Sequence, residues 1–155
     1  MSKRFVGVLA AAALAVAVVA LWPHGGEPPP YYADPVRTPG ALNPDVTQAT
    51  IGQTICVSGW TRTIRPDSGY TSALKLRQLA EYGVSGSPGD YQEDHLISLE
   101  LGGAPTDPRN LWPQPRPWAD RVDKTENELR ADVCAGRLTL AEAQRRESAL
   151  KHGTG

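Results

Sequence analysis

The sequence predicts one small domain of the α+β class. Two segments alternate apolar and polar residues as half-buried strands do, Thr54–Trp60 near the start and His95–Leu101 in the middle. Three further segments, 71–82, 117–133 and 139–150, have the apolar spacing of amphipathic helices. Turns rich in glycine and proline separate these segments. A chain of 155 residues is long enough for one such domain and too short for two of ordinary size.

Local signals mark the ends of the predicted elements. Gly83 stands where a glycine commonly ends a helix, and Pro117 suits the first turn of the next one. Thr139 and Glu142 form a capping box that opens the last helix. Leu111 and Trp112 are predicted to form a short return strand. Residues 94–134 therefore read as a two-stranded ribbon followed by a helix.

The first 44 residues are predicted to lie outside the domain, which we assign to 45–150. In residues 1–22, Lys3 and Arg4 precede an uncharged run of 18 residues. This pattern is typical of a signal peptide and also reaches the lower limit for a membrane-spanning helix, so cleavage and retention as an anchor both stay open. Either alternative places the rest of the chain outside the cytoplasm, secreted or membrane-anchored.

Residues 23–44 are predicted to form a linker. They hold seven of the 14 prolines and little apolar periodicity. Such a segment is expected to be extended and solvated.

The charge of the chain excludes a uniformly basic nucleic-acid-binding surface. Without residues 1–22, 14 basic residues face 17 acidic ones, a formal charge of −3. Phosphate contacts must then come from local clusters, although each basic residue taken singly is as well explained by a solvated surface position. The candidate contacts are Arg62, Arg65, Lys75, Arg77, Arg109 and Lys124.

The two cysteines, Cys56 and Cys134, are predicted to form a disulfide, because an even count is typical of exported proteins. Closing so long a loop stabilises the fold by roughly 4–5 kcal/mol. Two cysteines this far apart, with no histidine nearby in the sequence, do not indicate a zinc site.

The candidate chemistry centres on His95, the sole histidine of the predicted domain. It follows Glu93 and Asp94, so three ionisable groups stand in a row. A lone histidine beside carboxylates is also a common surface ion pair. Strict strand alternation would put Asp94 and His95 on opposite faces, and they could serve one site only if the strand began at His95 or was bulged there.

The residues around this row resemble the first two motifs of HNH nucleases. Glu93-Asp94-His95 is followed by Gly102-Gly103 and then by Asn110-Leu111. The resemblance covers residues 93 to about 130, and the wider stretch from Asn43 to Arg146 looks like small secreted bacterial and phage proteins with a Glu-Asp-His core. It implies a ββα-metal core with flanking helices and an N-terminal strand. The implied activity is hydrolysis of phosphodiester bonds outside the cytoplasm.

The resemblance also implies roles for individual residues. His95 would be the general base that activates water, and Asn110 would position the histidine or the connecting loop. Asp94 would be a metal ligand, with Asn127 as the second ligand and Glu126 as its alternative. The expected cofactor is one divalent cation, Mg²⁺ first, with Mn²⁺ or Zn²⁺ as alternatives. The expected partner is nucleic acid, DNA before RNA, and the chain is expected to act as a monomer.

A second hypothesis is a non-catalytic binding module, secreted or membrane-anchored, that keeps the nuclease scaffold. Two departures from HNH nucleases favour it, Ser98 close to where a proline is usual and a long interval between Asn110 and Asn127. The acidic charge favours it as well. A domain that divalent cations do not stabilise through Asp94 would support this hypothesis.

Overall fold

The structure is a computed structural model that describes residues 31–84 and 86–155. Over these ranges it contains four α-helices and one two-stranded antiparallel sheet, which confirms the predicted α+β class. The helices are α1 (Trp60–Ile64), α2 (Ser68–Glu81), α3 (Arg116–Cys134) and α4 (Leu140–Lys151), and the strands are β1 (Tyr91–His95) and β2 (Leu111–Pro115). The order β1, β2, α3 is the predicted ribbon followed by a helix.

Among the described residues, no helix has both the length and the apolar character needed to cross a membrane. The predicted signal peptide or anchor, 1–22, and the first part of the predicted linker, 23–30, lie outside the described residues.

The sheet is shifted from the position that alternation predicts. β1 ends at His95, where the predicted strand His95–Leu101 begins, and residues 99–101 form a 3₁₀ turn. The apolar residues that produced the alternation are all buried, which a compact turn achieves as well as a strand. Side chains bind the backbone here in place of a partner strand, since Asn110 Oδ1 accepts from the Ile97 N–H at 2.9 Å.

The predicted N-terminal strand Thr54–Trp60 is wrong. These residues form a series of turns that leads into α1, with N–H groups bonded to carbonyls three residues earlier, as from Val57 to Thr54 and from Trp60 to Val57. Gly59 has a φ of 79°, a left-handed conformation incompatible with a continuous strand. The β-forming residue Ile55 belongs to the buried core and not to a strand.

The helices agree with the predictions more closely. α2 begins three residues before the predicted Thr71, where the carboxylate of Asp67 accepts from the Gly69 N–H at 2.7 Å. Gly83 follows the helix with a φ of 64°, as its sequence position predicts. α4 begins after Thr139, whose hydroxyl accepts from the Glu142 N–H at 3.2 Å.

The described part of the predicted linker, residues 31–44, is packed on the domain and is not a solvated spacer. Tyr31 stacks on the buried Trp112 with ring centroids 5.7 Å apart. The Ala33 N–H donates to the Lys151 carbonyl at 3.0 Å, and Leu42 forms a β-bridge with Gly103. Proline content misled the prediction, because prolines suit an irregular segment that lies against a surface as well as a free one.

The main core lies between the turns at 51–57, the segment after β1, and the helices α3 and α4. Its buried members are Val46, Ile55, Ile97, Leu101, Leu129, Val133, Leu140 and Ala143. The predicted disulfide is confirmed: Cys56 is bonded to Cys134, with Cα atoms 5.6 Å apart. It joins the turns before α1 to the last residue of α3.

Candidate functional site

His95 is the last residue of β1 and is 7% exposed. Its Nε2 lies 2.9 Å from the Pro105 carbonyl oxygen. A carbonyl can only accept, so Nε2 carries the proton and donates it. Burial holds the pKa of His95 below its ordinary value, although the Pro105 hydrogen bond and the charge of Asp94 oppose this effect. The ring is therefore neutral near pH 7, and Nδ1 has the free lone pair.

Asp94 precedes His95 in regular strand register, opposite Trp112, while His95 is opposite Leu111. The strand is not bulged here and does not begin at His95, so alternation directs the two side chains to different faces. They are linked through charge instead, because Asp94 raises the pKa of His95. The Asp94 side chain keeps 19% of its surface exposed.

A buried ammonium group lies beneath Asp94. Lys151 Nζ is 3.2 Å from Asp94 Oδ2, 2.7 Å from Glu126 Oε1 and 3.2 Å from Glu147 Oε1, and it donates to the His95 carbonyl at 2.5 Å. Burial alone would lower the pKa of Lys151, but the three carboxylates raise it well above its ordinary value. The ammonium is therefore charged, and it joins the end of β1 to α3 and α4.

Glu126, the predicted alternative metal ligand, is one of the partners of this ammonium. Burial raises the pKa of Glu126 to about 8, with Lys151 opposing the effect. Glu147 is fully buried, and its two oxygens accept from the Ser98 N–H at 2.9 and 3.0 Å. The structure therefore brings Glu126 and Asp94 together, with Lys151 bound to both.

Asn127, the predicted second ligand, is exposed on α3, and its Nδ2 donates to the Asp123 carbonyl at 2.7 Å. Two other α3 residues respond to the charge of Asp94: Glu126, and Asp123, which lies one turn before Asn127 and is exposed as well. Burial raises the pKa of Asp123 and the charge of Asp94 raises it further, while Lys151 and Arg65 oppose them. Asp94 and Asp123 therefore interact electrostatically.

Asn110 is fully buried and holds the loop between the strands. Its Nδ2 donates to the carbonyls of Ile97 at 3.0 Å and Ala104 at 3.1 Å, and its Oδ1 accepts from the Ile97 N–H. Ala104 precedes Pro105, whose carbonyl fixes the His95 ring. This geometry suits the predicted positioning role, since Asn110 reaches His95 only through the loop.

The six predicted phosphate contacts are dispersed. Arg65, exposed at the end of α1, acts electrostatically on two of these groups, because its charge lowers the pKa of both His95 and Asp123. Lys75 Nζ donates to the carbonyls of Pro88 and Tyr91 at 2.8 and 3.0 Å, so it ties α2 to β1.

The other four basic residues lie on the surface. Arg109 binds Asp107 and Lys124 lies 3.9 Å from Glu128, both pairs in largely exposed positions. Arg62 and Arg77 are exposed on α1 and α2. Surface pairs of this kind are weak, so they do not prevent Arg109 or Lys124 from contacting a phosphate.

The donor set decides which cation the site could hold. Among residues 31–84 and 86–155, no three His, Cys, Asp or Glu side chains are grouped as a metal site. Asp94 and Asp123 offer carboxylate oxygens, which suit Mg²⁺ because this cation is often bound by one or two carboxylates together with water and substrate phosphate. The residues therefore fit an open Mg²⁺ site and do not form a closed cage such as structural zinc requires.

Sequence reasoning missed Lys151, Glu147 and the role of Asp123. A signal for the first two was present: Leu140, Ala143, Glu147 and Lys151 are spaced three, four and four residues apart, which puts two charged residues on the buried stripe of α4. Charged residues on a buried helical face need partners, so this spacing indicates an internal ion cluster.

Comparisons of the chain with protein-family models, with curated proteins and with solved structures give no match.

Proposed function

We propose that this chain is a metal-dependent nuclease that hydrolyses phosphodiester bonds, with nucleic acid as its partner and DNA before RNA as its substrate. The observation that carries the proposal is the fixed tautomer of His95. Its Nε2–H is bonded to the Pro105 carbonyl, which leaves Nδ1 unprotonated as a neutral base, and the charge of Asp94 acts on the same ring. The HNH-like order of Asp94-His95, Gly102-Gly103 and Asn110-Leu111 supports the same reading.

In this mechanism His95 Nδ1 accepts a proton from the attacking water, and a low pKa keeps the ring available for this step at neutral pH. Asn110 holds the loop that orients the ring. The guanidinium of Arg65 contributes positive charge near the scissile phosphate. Asp94 and Asp123 would hold a divalent cation, Mg²⁺ first and Mn²⁺ or Zn²⁺ as alternatives, which supplies compensation of the phosphate charge when bound.

The proposed nuclease acts as a monomer outside the cytoplasm, secreted or anchored through its N-terminal segment. The disulfide between Cys56 and Cys134 supports an oxidising compartment.

Plasmid nicking in Mg²⁺ or Mn²⁺ tests the proposal. We expect wild type to nick the plasmid and His95→Ala to lose at least about 100-fold of the rate, the usual contribution of a general base. His152→Ala is the matched control, because it removes the other described histidine, whose Nε2 lies 3.0 Å from the Thr38 carbonyl oxygen. Equal rates for wild type and His95→Ala, or no rate in either, would contradict the proposal.

The alternative function is a non-catalytic binding module, and Lys151 is the observation that favours it. Its ammonium already binds oxygens of both Asp94 and Glu126, two of the three predicted metal ligands. A titration of wild type and Asp94→Asn with Mn²⁺, followed by thermal unfolding, separates the two functions. Stabilisation of wild type alone supports the nuclease, and no stabilisation of either supports the binding module.

A further inference from the structure

We propose that Lys151 is a positioning residue of the nuclease site: its ammonium holds the Asp94 carboxylate and the carboxyl end of β1, which makes the C-terminal helix α4 part of the site. This inference rests on the proposed function. It assigns a role to a residue that lies 57 positions from Asp94 in the sequence.

The contacts of Lys151 define a rigid support. Its side chain is completely buried, and Nζ reaches Asp94 Oδ2, Glu126 Oε1, Glu147 Oε1 and the His95 carbonyl, all within 3.2 Å. Its backbone is fixed as well, because its carbonyl accepts from the Ala33 N–H at 3.0 Å. An ammonium held by this many acceptors has little freedom to move away from Asp94.

Lys151 contacts the Asp94 carboxylate from the interior of the protein. Lys151 has no exposed side-chain surface, whereas Asp94 has 19%, so the ammonium holds the carboxylate from the protein side while its outer side faces solvent. A cation that approaches from solvent therefore meets a carboxylate whose orientation is already set. Residues that orient a metal ligand typically change metal affinity or activity by 10–100-fold when removed.

The same ammonium acts on His95 through the backbone. Lys151 Nζ binds the His95 carbonyl, and the next N–H, that of Leu96, donates to the Asn110 carbonyl at 2.7 Å. The peptide unit after His95 is therefore held on both sides. Lys151 therefore holds both the Asp94 carboxylate and the main chain at His95, while the Pro105 carbonyl holds the His95 ring.

The test uses the double variant Glu147→Gln/Lys151→Met. It removes the ammonium together with the buried Glu147 carboxyl group that lies 3.2 Å from it, so Glu147 is not left in the core without its ionic partner. The Gln side chain can still accept from the Ser98 N–H. We expect Mn²⁺ binding, measured by electron paramagnetic resonance, to weaken 10–100-fold, kcat for plasmid nicking to fall by a similar factor, and KM for DNA to stay within about twofold.

Two further variants isolate Lys151. Glu147→Gln alone keeps the ammonium on Asp94 and is the reference against which the loss of Lys151 is measured. Glu147→Gln/Lys151→Gln retains a donor for Asp94 and should recover part of the lost kcat. Circular dichroism verifies the fold of each variant. A folded Glu147→Gln/Lys151→Met protein with wild-type Mn²⁺ affinity and kcat would overturn the positioning role.

Should the double variant not fold, the wild type provides the test. The buried Lys151 ammonium should give a slowly exchanging ¹⁵N–¹H signal, and Mg²⁺ should shift it as Asp94 becomes a ligand. A Lys151 signal unaffected by saturating Mg²⁺ would overturn the proposal.

The outcomes separate this inference from the proposed function. Inactive wild type with Lys151-dependent Mn²⁺ binding would overturn hydrolysis and keep the positioning role. Active wild type with an unaffected double variant would overturn the positioning role alone, and wild type that neither binds Mn²⁺ nor cleaves DNA would remove both.

Discussion

At the scale of single residues, the end of β1 carries ionisable groups whose pKa values are shifted by burial. Glu93 is the clearest case outside the proposed site. Among the described residues, neither of its carboxyl oxygens has a hydrogen-bond partner. Burial raises the pKa of Glu93 to about 8, against the opposing charge of Lys75. The Glu93 carboxyl is therefore largely protonated at neutral pH.

This shift predicts how stability depends on pH. Between about pH 4.5 and 8 the folded state keeps a proton on Glu93 that the unfolded state has lost, so the free energy of unfolding decreases as the pH rises. The slope from this one group is at most about 1.4 kcal/mol per pH unit. Glu93→Gln should remove that part of the slope, measured by urea unfolding in EDTA.

The control for this prediction is Glu81→Gln, which removes an exposed carboxyl group from the last residue of α2. A pH slope of Glu93→Gln equal to that of wild type would show that the Glu93 carboxyl does not keep its proton in the folded state.

At the scale of elements, the loop that connects β1 to β2 holds the His95 ring through the Pro105 carbonyl. It is anchored at Asn110, whose amide binds the backbone at Ile97 and Ala104. Gly103 lies directly against this anchor, and its N–H donates to the Ser98 carbonyl at 2.9 Å. A Cβ at Gly103 would overlap the Ile97 carbonyl oxygen and lie 2.6 Å from Asn110 Nδ2. Only glycine permits this close approach.

Gly103→Ala should therefore destabilise the domain by about 1–3 kcal/mol or more, as overpacking does elsewhere. It should also lower nicking activity, because the loop carries the carbonyl that orients His95. Gly52→Ala is the matched control, since a Cβ there meets nothing within 4 Å. Urea unfolding checks the prediction, and equal midpoints for the two variants would refute it.

At the scale of the whole molecule, distant parts of the chain converge on one small core. The disulfide between Cys56 and Cys134 spans 78 positions and ties the turns before α1 to the end of α3. Next to this crosslink, Arg130 Nε donates at 2.7 Å to the carbonyl of Ile55, the residue before Cys56. The backbone hydrogen bonds of these turns, such as that from Val57 to Thr54, join near neighbours in the chain, so the position of the turns on the domain depends on the crosslink and on the burial of Ile55.

Removing the crosslink should cost about 2–5 kcal/mol, the usual effect for a small secreted domain. Cys56→Ala/Cys134→Ala should unfold at a lower urea concentration than wild type. Its far-ultraviolet circular dichroism should remain close to that of wild type, because the helices are preserved. Wild type treated with dithiothreitol serves as the matched comparison, and an unchanged midpoint in both would show that the crosslink does not constrain the unfolded chain.

The sequence by itself determined the features that depend on local chemistry. Thr139 and Gly83 mark helix ends that the structure shares, because capping groups act on the neighbouring backbone. The cysteine pair followed from count and context.

Only the tertiary structure decided the features that depend on burial from distant parts of the chain. Residues 54–60 and 96–101 alternate as strands do, but they form turns. Their apolar side chains Ile55, Ile97 and Leu101 are buried against α3 and α4, so they need no partner strand. The electrostatic interaction of Asp123 with Asp94, and the ion pair of Lys151 with Asp94, arise from where α3 and α4 pack on β1. Spacing within one helix shows which residues share a face, but packing alone decides what that face meets.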